Sequence, residues 1–147
     1  YFTMARETLG KEPRFVFYES QLLFRIGSVH ALQKENHNMA VEFFDRSFPL
    51  IKEALPFTPP SEVGTQGEAL VSMAVSYWEV KDRDLALRLT NAGAQLMEQA
   101  VGAGLMEAEA LEVPYTNLAS MHRHLGNEDE ASQFERMATR PSDTETE

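Results

Sequence analysis

A nine-residue step that ends on alanine recurs three times along the chain: Ala31 to Ala40, Tyr77 to Ala86 and His122 to Ala131. The alanines at the ends of these steps are 46 and 45 residues apart. In the clearest copy, Met73-Ala74-Val75-Ser76-Tyr77-Trp78 precedes a polar turn, and Ala86 follows it. Small residues at matched positions on two helices let their axes approach toward the short end of the usual range of about 8–10 Å. A period of this length is the mark of stacked helical hairpins. No pair of strand-like runs flanks a turn signal, so the expected fold class is all-α.

The helices can be traced from their periodicity and punctuation. Pro13 suits the first position of a helix. Phe15, Tyr18, Leu22, Ile26, Val29 and Leu32 then follow three- and four-residue steps, which predicts an apolar face. Phe15-Val16-Phe17-Tyr18 alone also reads as a short strand. Asn38 is the expected cap of the next helix. Pro49 should kink that helix, and Pro56 to Pro60 should end it, with a loop over 56–66. Thr65 and Glu68 have capping-box spacing, Asp82 caps a fourth helix, and Gly102 and Gly104 suit its end. Leu105 to Leu111 reads as an extra turn, and Pro114 as either a first turn or a kink. Asn127 and Glu130 open the last helix.

These signals give one domain over 13–140. Residues 1–12 are expected to be the end of a preceding helix or a cropped repeat, and 141–147 a disordered acidic tail.

The three units resemble the tetratricopeptide repeat family, whose hairpin carries the pattern W-x2-L-G-x2-Y followed by A, F, A and P. Tyr115, Leu118, Ala119 and His122 occupy the first four of those places, and Ala131 and Ala138 the two alanines. Leu70, Met73, Ala74, Tyr77 and Ala86 do so in the middle unit, and Phe24, Ser28, Ala31, Ala40 and Phe44 in the first. The period exceeds the family's usual length of about 34 residues. Thr90 and Glu135 stand where the second helix should carry an aromatic. The resemblance implies a right-handed α-solenoid of about three antiparallel hairpins. It also implies a concave groove lined by the first helix of each. Carried over by position, that groove would hold Arg25, Val29 and Leu32, then Val71, Val75 and Trp78, then Thr116, Ser120 and Arg123. Trp78 reads equally as a residue packed against a neighbouring hairpin. Clamping of a terminal carboxylate, which some family members perform with Lys and Asn in the first unit, is not implied where Arg25 and Val29 stand.

The formal net charge is −10, and the 13 Lys and Arg residues are scattered singly, which argues against a nucleic-acid partner. No apolar run approaches the ~20 residues of a membrane span, so insertion is not expected. The chain has no cysteine, which removes thiol chemistry and thiolate metal sites and accords with a cytoplasmic setting. His122 and His124 are two apart and diverge on a helix, so a shared metal is not expected. Glu107, Glu109, Glu112 and Glu128-Asp129-Glu130 read as helix-start and solvated charge. No catalytic set and no cofactor site emerge. The expectation is a non-enzymatic scaffold that binds a protein or peptide. A self-assembly module forming homo-oligomers is the alternative.

Overall fold

The computed structural model describes residues 13–139. Six α-helices follow in order: α1 (Pro13–Leu32), α2 (His37–Ala54), α3 (Pro60–Glu79), α4 (Arg83–Gly102), α5 (Glu112–His124) and α6 (Glu128–Thr139). Short 3-10 turns at Leu55–Phe57 and Ala108–Leu111 join α2 to α3 and α4 to α5. No strand occurs among the described residues, so the all-α expectation holds and Phe15–Tyr18 is helical. The expectations for 1–12, Arg140 and 141–147 lie outside the described residues. Among the described residues no helix is long and apolar enough to cross a membrane.

Helix ends follow local chemistry, with two departures from expectation. Asn36, not Asn38, caps α2: its side chain accepts the Met39 amide at 3.1 Å. Glu35 just before it has φ 49°, which reverses the chain and places His37 as the first helical residue. The second departure is larger. Helix α3 begins at Pro60, so Thr65 and Glu68 lie inside it and form no cap. Pro at the first position and Glu62 in the first turn both favour that start. As expected, Asp82 caps α4 by accepting the Leu85 amide, α2 continues through Pro49, and Pro114 sits in the first turn of α5.

Each odd-numbered helix packs most extensively against the even-numbered helix that follows it; lighter contacts join α2 to α3 and α4 to α5. The α1–α2 core is Val16, Leu23, Leu50 and Ala54. Ala40, Phe44, Ile51, Leu70, Met73, Tyr77 and Leu89 form the central core with Ala74 and Ala86. Val71, Ala94, Met97, Tyr115, Leu118 and Ala138 join α3 and α4 to the last two helices. All three recurring alanines, Ala40, Ala86 and Ala131, are fully buried.

Helices α3 and α4 approach closely at a pair of glycines. A Cβ on Gly67 would lie 2.6 Å from the Gly93 carbonyl oxygen, and one on Gly93 would lie 2.5 Å from the Gly67 oxygen. Only residues without a Cβ let the two backbones meet here.

The apolar row read along α1 lies largely on its outward face. Tyr18, Leu22, Val29 and Leu32 are exposed, whereas Val16, Leu23 and Gly27 are buried. Gly27 admits the Phe44 ring, which a Cβ would meet at 2.4 Å, and that contact fixes which side of α1 turns inward.

Candidate interaction surface

The nine residues expected to line one groove fall into three groups. In the central group, Val71 and Val75 border a recess of about 340 Å³ between α3 and α5. Met97 and Ala110 also border it, Val113 and Pro114 form the α5 wall, and Glu68, Ser72 and Asn117 supply the polar rim. The two valines differ in role. Val75 is 43% exposed, whereas Val71 is 4% exposed and belongs to the core. Its Cγ2 would lie 2.7 Å from a Cβ at Gly93, so α4 supports it from behind. Val71 is therefore floor, not a free contact.

Trp78 is half-buried and lies outside that recess. Its ring meets His124 edge-on, with centroids 5.6 Å apart, and the Arg83 guanidinium lies 4.9 Å from its centroid. It thus packs against residues from α4 and α5. Arg83 over the indole face and the imidazole against it hold the ring in one orientation.

Of the first-unit residues, Arg25 borders a crevice of about 170 Å³ between α1 and α3, with Gln21, Phe24, Thr65, Gln66 and Ala69 among its lining. Val29 and Leu32 point outward from α1.

Thr116, Ser120 and Arg123 line an open depression of about 940 Å³ on the α5–α6 pair, with Ser132, Glu135 and Thr139. Arg123 is already engaged there. Its Nη1 and Nη2 donate to the Glu135 carboxylate at 2.8 and 2.9 Å, and its Nε donates to Glu128 at 3.3 Å. These bonds, Glu135's first, raise the Arg123 pKa above its ordinary value. The Arg123 hydrogen bond in turn lowers the Glu135 pKa.

Histidines serve packing roles. His122 stacks on Phe134 with centroids 5.6 Å apart, and His30 stacks on Phe43 at 5.5 Å. His37 Nδ1 lies 2.8 Å from Ser76 Oγ, tying the start of α2 to α3. No group of His, Asp and Glu among the described residues is arranged to hold a metal ion.

Comparison with family models, with curated proteins and with solved structures returned no match.

Sequence reasoning missed Val113 and Pro114 as the α5 wall, and Tyr18 and Leu22 as surface residues. The signal for the first was present, since Val113 stands in a helix's first turn beside a proline. The signal for the second was misread, because α1 is apolar on both sides.

Proposed function

We propose that this chain is a non-enzymatic interaction scaffold of the tetratricopeptide-like type, stacking three helical hairpins and binding a peptide or helix through outward surfaces of α1, α3 and α5. One observation carries the reading. Ten large apolar residues are exposed among the described residues, and six of them lie on those three helices: Tyr18, Leu22, Val29, Leu32, Val75 and Val113. Only Met39 lies on α2, and none lies on α4 or α6. On the helices, outward apolar surface is thus concentrated on one member of each pair, most densely on α1, and a contiguous exposed row of this kind marks a recognition surface. The α3–α5 recess adds a preformed apolar floor with a polar rim, as peptide-binding sites have.

Self-assembly through the α5–α6 end finds less support. Arg123, Glu128 and Glu135 spread charge over that surface, which would have to be desolvated in a contact.

Selection from a displayed peptide library tests the proposal, with wild type as bait and the Val75→Arg variant as counter-bait. The reading expects a family of peptides with an apolar anchor that bind wild type at least about tenfold more tightly than the variant. A selection that enriches nothing, or peptides indifferent to Val75, would remove the recess from the account.

A further inference from the structure

The outward face of α1 carries a stripe that the α3–α5 recess does not use. Arg14, Tyr18, Leu22, Arg25, Val29 and Leu32 recur at steps of four, four, three, four and three residues, so they share one side of the helix. The stripe spans about five turns, roughly 27 Å at 1.5 Å per residue. Its apolar members are well exposed: Tyr18 60%, Leu22 49%, Val29 42% and Leu32 76%. Single exposed leucines need no explanation, but four large apolar residues in one helical row do.

Charge narrows the choice of occupant. The only charged residues in the row are Arg14 and Arg25, on a chain whose formal net charge is −10. Among the described residues neither guanidinium forms an ion pair. No carboxylate stands in the row to answer them. A second copy of the chain fits poorly. The row's midpoint falls between Leu22 and Arg25, so two α1 helices packed antiparallel about a two-fold axis would bring their Arg25 residues together with no acid between them. An anionic lipid surface fits poorly as well, because the net charge of the whole chain opposes approach. An amphipathic helix that is apolar on one face and acidic along its edge meets both demands. Its apolar residues would pack between Tyr18, Leu22, Val29 and Leu32, and its carboxylates would reach Arg14 and Arg25.

We propose that the α1 stripe docks an amphipathic helix of another protein, with an acidic edge opposite Arg14 and Arg25. This deepens the scaffold reading by naming the partner chemistry of one surface. It rests on that reading only in taking the chain to bind partners. The stripe and the α3–α5 recess are separate surfaces and can fail separately.

The test is selection from a display library of stable helical peptides with randomised surface positions, using wild type as bait and the Leu22→Glu, Val29→Glu double variant as counter-bait. Both substitutions fall on exposed positions, and circular dichroism with a melting curve checks that the variant is folded. The proposal expects enriched helices with apolar residues at three- and four-residue steps and Asp or Glu along one edge. Their affinity should fall at least about tenfold on the double variant and be unchanged by Val75→Arg. Arg25→Glu should weaken the same helices about tenfold, and replacing their facing acid with Lys should restore binding. Enriched helices without an acidic bias would overturn the charge argument. Three further outcomes would overturn the proposal itself. They are a dimer by light scattering that Leu22→Glu abolishes, binding to phosphatidylserine vesicles lost in the double variant, and an absence of stripe-dependent helices.

Discussion

The Tyr77 hydroxyl donates a 2.5 Å hydrogen bond to Asp45 Oδ1, joining α3 to α2 where contact between those helices is otherwise light. The Tyr115 hydroxyl donates in the same way to Glu98, across the equally light α4–α5 boundary. Each phenol comes from the first helix of one pair, and each carboxylate from the second helix of the pair before it. The junctions between pairs are thus pinned by a neutral donor on a charged acceptor, stronger than a neutral bond though solvated on its carboxylate side.

Removing one of these hydroxyls should loosen a junction without emptying the core. Tyr77→Phe keeps the ring that packs on Phe44 and Phe48. It should lower stability by about 1 kcal/mol in urea denaturation, below the usual range for bonds to charged groups, because Asp45 is exposed to solvent. A double-mutant cycle with Asp45→Ala should return a coupling of similar size. Strict additivity would mean that the bond does not form in solution.

The same bond predicts an alkaline effect. Burial first, and the Asp45 hydrogen bond second, raise the Tyr77 phenol well above its ordinary value of 10.0. A group whose pKa is raised by folding contributes stability that is fully present below its unfolded pKa and lost as pH climbs beyond it. Wild-type stability should therefore fall more steeply than that of Tyr77→Phe above about pH 10. Parallel decline of the two proteins would contradict the assignment.

The glycine crossing should be unforgiving. Gly93→Ala sets a methyl group against the Gly67 carbonyl and Val71, and should cost about 1–3 kcal/mol or more. Gly102→Ala is the control. No heavy atom outside its own turn lies within 4 Å of the added carbon, so a gain of about 0.4–1 kcal/mol is expected. Melting curves of the two variants should shift in opposite directions.

Ala86 is fully buried in the central core, and Ala86→Leu should overpack it by about 1–3 kcal/mol. An unchanged melting temperature would mean that the neighbouring helices separate without resistance.

At the far end, the Glu135 carboxyl should titrate below its ordinary value of 4.5, because Arg123 donates to it. A pKa lowered by folding gives stability that is present above the ordinary value and lost as pH falls. Carboxyl-resolved NMR titration should show the Glu135 midpoint returning to the ordinary range in Arg123→Ala. An unmoved midpoint would break the pairing.

Much of the helical order was legible from the sequence because its signals are local. Asp82, Gly102, Pro13 and Pro114 mark ends through their own backbone and capping chemistry, and the alanine step placed three buried residues correctly. What was not legible depended on a partner helix. Periodicity finds an apolar face on α1 but cannot tell which of two faces is covered. The Gly27–Phe44 contact that decides it joins residues on different helices. The early start of α3 was hidden for a related reason: Gly64 looks like a loop residue until Met106 is seen against it. Three of the nine expected groove residues, Thr116, Ser120 and Arg123, border a depression separate from the α3–α5 recess, because the family pattern fixes positions along a helix and says nothing of which cavities those positions share.

The Gly67–Gly93 crossing also makes the recess heritable from behind. Val71 rests on Gly93, so the depth of the floor is set by a backbone contact outside the lining of the recess. Substitutions at either glycine would reshape the recess while every residue on its rim stayed the same. On the proposed reading, the selectivity of the recess would drift without a single change at the surface, and an engineer wishing to alter its depth would begin on the far side of α3.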